Sequence, residues 1–252
     1  MYAKFKKVVV KATSSLYIPT FLYSSMAYET SVIKRRVKVH IITHVKSRAQ
    51  TIESDITSPD DAKEVSKRLL TRISAEGIIK VYRSSVVRAI QTADVIEDEL
   101  KNVKKTVYAK RNRSVLRVVD IHNRAVFDKI TSDSSIPETS RSSMWIDNKI
   151  DEKIVESPKS VLQRIKRSLK FPSYLNNKLN EKSIYGREID FIYVTHRGIL
   201  ERLCAELMGE TVQSYLSQNG RIVPGDIISI NFTEKNIILP NGKKSDINTN
   251  II

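Results

Sequence analysis

Two runs of apolar and β-branched residues, far apart in the chain, stop on the same pair: Ile42-Thr43-His44 and Val194-Thr195-His196. In open α/β sheets, ligands gather beyond the carboxyl ends of the strands, so two strands ending alike constrain the fold and the site together. Arg88 joins them. It stands at the start of the helical stretch after Ile79–Tyr82, where free N–H groups and the positive end of a helix dipole favour an anion. Any one histidine alone is better read as a core or surface residue. Two histidines and an arginine converging at strand ends would form a phosphate site, and the set carries the expectation.

The rest of the chain supplies such a sheet. Val37–Ile42 is β-branched and strand-like. Ser58-Pro59-Asp60-Asp61 reads as a capped helix start with proline at its first position and acids in its first turn. Apolar spacing through Ala62, Val65, Leu69, Leu70 and Ile73 continues that helix toward Gly77. Strands are expected at Ile78–Tyr82, Lys104–Tyr108, Ile189–Val194 and Asp226–Phe232, and helices at Val86–Ile96, Pro158–Leu169 and Ile199–Met208, the last stopped by Gly209. The alternation predicts a three-layer α/β/α sandwich with a mostly parallel sheet. The domain spans 37–240, with a polar, serine-rich insertion at 120–155 and a turn-like tail at 241–252.

Residues 1–36 form a basic extension. It carries Lys4, Lys6, Lys7 and Lys11 and has no acidic residue before Glu29, the composition of a mitochondrial address or of an arm that docks on a partner. Its apolar stretch, Leu16–Tyr28, is too short and too polar for a membrane span. Over the 252 residues, 43 Lys and Arg stand against 28 Asp and Glu, a formal net charge of +15. Such a surplus favours phosphorylated ligands, anionic lipid or nucleic acid, including ribosomal RNA, without choosing among them. The single cysteine, Cys204, excludes an internal disulfide and a cysteine-based zinc site, and it reads as a buried helix residue.

Three segments resemble the histidine phosphatase (phosphoglycerate mutase-like) superfamily. Ser84-Ser85-Val86-Val87-Arg88-Ala89 with Gln91-Thr92-Ala93 is similar to its helix-start motif. Thr195-His196-Arg197-Gly198 is similar to its second histidine motif. Glu156-Ser157 with Val161 and Arg164 is similar to the helix before that strand. The resemblance implies a metal-free and cofactor-free phosphoryl transfer. His44 would attack phosphorus and carry the phosphoryl group as phosphohistidine. His196 and Arg88 would hold the equatorial oxygens, with Arg48 and Ser85 as further phosphate ligands. A carboxylic acid would protonate the leaving oxygen, and Asp120 or His122 could substitute for it here.

Three positions depart from the family pattern. Thr43 replaces a clamping arginine, a loss that costs on the order of 10²–10³ in rate for one preorganised donor. Val45 replaces a glycine, so its side chain is expected to keep the loop from wrapping a phosphate. Val118 stands where an acid is usual. Arg48 or Arg83 could restore a cation. On these losses the sequence leans away from an enzyme, toward a catalytically impaired accessory subunit of a larger, mitochondrial or otherwise cytoplasmic assembly. The alternatives are an active, atypical phosphatase working through phosphohistidine, and a basic RNA-contacting module.

Overall fold

The computed structural model describes residues 36–47, 55–116, 119–133, 144–145, 149–181 and 188–248. The extension at 1–35, Arg48 and Val118 lie outside the described residues, and with them the expectations of an organelle address or docking arm and of a rescue by Arg48. Seven strands form one sheet: β1 (Val37–Thr43), β2 (Ile78–Arg83), β3 (Thr106–Asn112), β4 (Ile189–Thr195), β5 (Ile227–Asn231), β6 (Asn236–Ile238) and β7 (Lys244–Asp246). Their spatial order is β3-β2-β4-β1-β5-β6-β7.

The first four neighbours, β3, β2, β4 and β1, run parallel. β5 pairs antiparallel with β1, and β6 and β7 continue antiparallel. The sheet is therefore mixed, which corrects the mostly parallel expectation. The tight returns after Asn231 and Ile238 leave no room for a crossover helix, so β6 and β7 can only add antiparallel to the strand before them. The tail expected to be turn-like contributes β7 at the sheet edge.

Helices cover both faces. α1 (Pro59–Leu70) and α2 (Val87–Asn102) bury Ala62, Val65, Leu69, Ala89, Ala93, Ile96 and Leu100 against Ile42, Ile79, Val81, Ile192, Val194 and Ile227. The alternate strand residues Val37, Val39, Ile41, Phe191, Tyr193, Ile228 and Ile230 face the other way. There they meet α4 (Pro158–Glu181), α5 (Leu200–Met208) and α6 (Val212–Asn219), after the surface helix α3 (Arg124–Ser132). This period-two split is what a sheet buried on both sides requires.

The local signals behave as their chemistry demands. The Ser58 side chain accepts from the Asp60 N–H with Pro59 at the first helical position. Gly209 adopts φ 73° and closes α5. Cys204 is fully buried in α5, and burial pushes its thiol up to about 12. The described part of the 120–155 insertion is more ordered than its polar composition suggested. It holds α3, capped by Asn123, and a bridge between Ile121 and Val155. Among the described residues, no helix is long and apolar enough to cross a membrane.

Candidate active site

β1 and β4 pair in register, Thr43 beside Thr195, and the His44 N–H donates to the Thr195 carbonyl at 3.0 Å. The two strands therefore end level, and the histidine that follows each is forced into proximity. The rings of His44 and His196 lie edge to face with centroids 5.1 Å apart. β2 lies on the other side of β4 and feeds α2, whose second residue is Arg88. From there the Arg88 Nε donates to His44 Nε2 at 2.9 Å. All three residues that the sequence nominated converge at the carboxyl end of the parallel strands.

The hydrogen bonds fix the state of each ring. His44 Nδ1 donates to the Val45 carbonyl at 2.7 Å, so its Nε2 carries the lone pair. Burial, followed by the positive charges of Arg88 and Arg197, lowers the His44 pKa to about 4 against the opposing pull of the Val45 carbonyl. The ring is neutral and nucleophilic at neutral pH. His196 is 7% exposed, and burial, with His44 and Arg88 beside it, holds its pKa well below the ordinary value. Its Nε2 meets the Ser84 hydroxyl at 2.9 Å, while its buried Nδ1 has no hydrogen-bond partner among the described residues. A buried ring nitrogen left so is costly unless a ligand completes it.

Ser84 is the residue that sequence reasoning missed. Ser85, nominated as a phosphate ligand, is exposed, whereas Ser84 is fully buried against His196. Two adjacent serines are indistinguishable until the strand end fixes which one turns inward. Arg83 does not restore the lost cation, because it turns to α2 and pairs with Asp94 at 2.5 Å. Asp120 and His122 are tied by their backbones to the 154–156 segment. Glu156 in that segment is gripped by Arg164 through two contacts, at 3.2 and 2.7 Å. The Trp145 indole donates to the Glu156 carbonyl at 2.8 Å and lies beside Gly198, which brings the insertion to the rim of the site.

Two of the departures have structural explanations. The Thr43 hydroxyl donates to the Val223 carbonyl at 2.7 Å and accepts from the Asp226 N–H at 3.0 Å, so it pins the loop before β5 and does not face the histidines. The Val45 side chain is turned into the core. Val45 is 2% exposed and packs into the α1–α2 core beside Gly225. Its N–H donates to the Thr92 hydroxyl and its carbonyl orients His44, so the valine serves the site through its backbone.

One layer below, His40 on β1 joins β4 and β5. Its Nε2 meets Asp190 at 3.1 Å and its Nδ1 meets the Ser229 hydroxyl at 2.9 Å, all buried. Burial lowers the His40 pKa, and the His40 hydrogen bond and charge lower that of Asp190 against its own burial. This histidine–carboxylate pair locks together the two strands that present His44 and His196.

Residues 46–239 match the family model of the histidine phosphatase superfamily, branch 1. The chain belongs to that superfamily. Among solved structures it is similar to a mycobacterial hydrolase at 15% identity, over 78% of this chain and 82% of that one, with a TM-score of 0.53. It is similar to a mycobacterial glucosyl-3-phosphoglycerate phosphatase in complex with inorganic phosphate, at 16% identity over 77% and 88%, TM-score 0.51. A putative alpha-ribazole-5′-P phosphatase from Escherichia coli aligns at 14% identity over 77% and 90%, TM-score 0.50. At these identities the likeness concerns the fold. No curated protein matches the sequence. The family match overturns the expectation that leaned away from an enzyme. That expectation gave Thr43 and Val45 the weight of lost catalytic parts, and the geometry gives them structural roles.

Proposed function

We propose that this protein is a phosphatase that cleaves a phosphomonoester through a phosphohistidine on His44. The observation that carries the reading is the neutral His44 ring, its Nδ1 proton committed to the Val45 carbonyl and its Nε2 lone pair turned to Arg88. In the first step Nε2 attacks phosphorus and the P–O bond to the leaving group breaks; in the second, water attacks phosphorus and the N–P bond breaks. Arg88 gives up its contact with Nε2 to a phosphate oxygen, and the open Nδ1 of His196 donates to another. That donation requires the Nδ1–H tautomer, which the Ser84 hydroxyl secures by donating to Nε2. The leaving oxygen leaves with a proton from solvent or from Asp120 or His122.

The test is hydrolysis of a generic aryl phosphate with acid-labile labelling of the protein. His44→Ala is expected to abolish both turnover and label while the protein stays folded. Unchanged hydrolysis by His44→Ala would end this reading.

A further inference from the structure

The charge at this site does not balance. A phosphomonoester carries a charge of about −1.5 to −2 at pH 7. Both histidines are held neutral by burial and by the positive charge of Arg88 beside them, so they donate or accept without adding charge. Thr43 is committed to the loop before β5, and Arg83 is committed to Asp94. Among the described residues, that leaves Arg88 as the cation hydrogen-bonded into the site, with a single positive charge. Phosphoryl transfer relies on electrostatic stabilisation of the equatorial oxygens, and one guanidinium leaves a deficit of about one charge.

Arg197 is placed to close it. It follows His196 directly, on the turn that joins β4 to α5. The turn is pinned on both sides, by buried His196 before it and by buried Ile199 and Leu200 after it. Gly198 takes φ 101°, a conformation that side-chain-bearing residues rarely adopt, and so sets the direction in which the chain leaves the strand. Arg197 itself is exposed, and among the described residues it makes no hydrogen bond or ion pair. Its charge is felt at both His44 and Arg88, lowering the pKa of each. Among the described residues no carboxylate pairs with this cation, and a bound anion would relieve its repulsion of Arg88 and of a protonated His44.

We infer that Arg197 is a second phosphate-binding cation of this site, donating its guanidinium to an equatorial oxygen across from Arg88. The inference rests on the phosphatase reading for its chemistry and on charge balance and placement for the residue. With Arg197 engaged, two guanidinium charges meet a dianion and the two histidines remain neutral. The fork geometry matters as well as the charge, because guanidinium can give two parallel N–H bonds where ammonium acts as a point charge.

The experiment measures inorganic phosphate binding at pH 8 by calorimetry, alongside aryl phosphate hydrolysis, for wild type, Arg197→Gln, Arg197→Lys and the distant surface control Lys67→Gln. Arg197→Gln is expected to weaken phosphate binding by about tenfold or more and kcat/KM by ~10². Arg197→Lys should recover part of the binding, and Lys67→Gln should match wild type. Phosphate binding by Arg197→Gln within twofold of wild type overturns the inference, whatever the turnover. A wild type that binds phosphate but neither hydrolyses ester nor labels at His44 overturns the phosphatase reading instead, and Arg197 is then judged on binding alone. A wild type that binds no phosphate overturns both.

Discussion

The Arg88 guanidinium donates from Nε to His44 Nε2 at 2.9 Å, so the cation rests on the lone pair proposed to attack phosphorus. In the free protein each group satisfies the other. A phosphate ester that takes over the Arg88 donor frees that lone pair at the moment it arrives, which couples binding to nucleophile release.

This coupling predicts an asymmetry between two substitutions. Arg88→Ala should lower kcat/KM for an aryl phosphate by ~10²–10³. Arg88→Lys should recover only a small part, since ammonium cannot present the planar fork. Steady-state kinetics on folded variants check this, and full recovery by lysine would show that charge alone matters at this position.

The protonation of His44 gives a second prediction. Its pKa is lowered to about 4, with burial first among the causes and the Arg88 charge contributing. Between about pH 4 and the ordinary value of 6.5, the unfolded chain binds a proton at this position that the folded chain does not. Stability from this group is therefore complete above about 6.5, falls as the pH drops through that window, and falls no further below about 4. An NMR titration of the four histidines should find the His44 ring neutral at pH 5.5, and Arg88→Gln should move its midpoint upward. A His44 midpoint near 6.5 in the wild type would remove the basis for a preformed nucleophile.

Much of this site was legible before any coordinates, because its residues sit where the chain changes structure. His44 and His196 end apolar runs, and Arg88 opens a helix that follows another such run. Three motifs in order then specified the fold. Other features depended on information that local pattern does not hold. The apolar run Ile227–Asn231 marks a strand but not its direction, so its antiparallel pairing with β1 is not legible in it. Lys244-Ser245-Asp246 has no apolar alternation, and it becomes β7 only because the edge of β6 offers it partners. Val45 looked like an obstruction because the sequence shows the side chain and hides the carbonyl. Ser84 and Ser85 are the same residue type one step apart, and only the strand end buries one of them.

Ser84 yields a third prediction. Its hydroxyl is the only hydrogen-bond partner that His196 Nε2 has among the described residues, and the Nδ1 of the same ring is open. Ser84→Ala should release the ring to the other tautomer, leaving an acceptor where a phosphate oxygen needs a donor. About tenfold weaker phosphate binding is expected, on the scale of one lost hydrogen bond to a charged group. The thermal stabilisation that inorganic phosphate gives the wild type should shrink accordingly. An equal phosphate-induced shift in both proteins would assign Ser84 a packing role only.

The last prediction concerns the sheet beneath the site. α4 runs without interruption through Pro172, and a proline has no N–H to give to the carbonyl four residues earlier. That carbonyl belongs to Ser168, and the Tyr193 hydroxyl donates to it at 2.9 Å from the middle of β4. Tyr193 is 1% exposed, and its burial pushes the phenol pKa up, so the proton stays on the oxygen that donates it. Tyr193→Phe removes the donor and leaves the Ser168 carbonyl buried and unpaired, at a cost of about 1–3 kcal/mol. Pro172→Ala restores an N–H to the helix, so the carbonyl regains a partner of its own. The double variant should therefore be more stable than the sum of the two single changes requires, a coupling that denaturant unfolding can read as a double-mutant cycle. Strict additivity would mean that the tyrosine hydroxyl does not stand in for the missing helical bond.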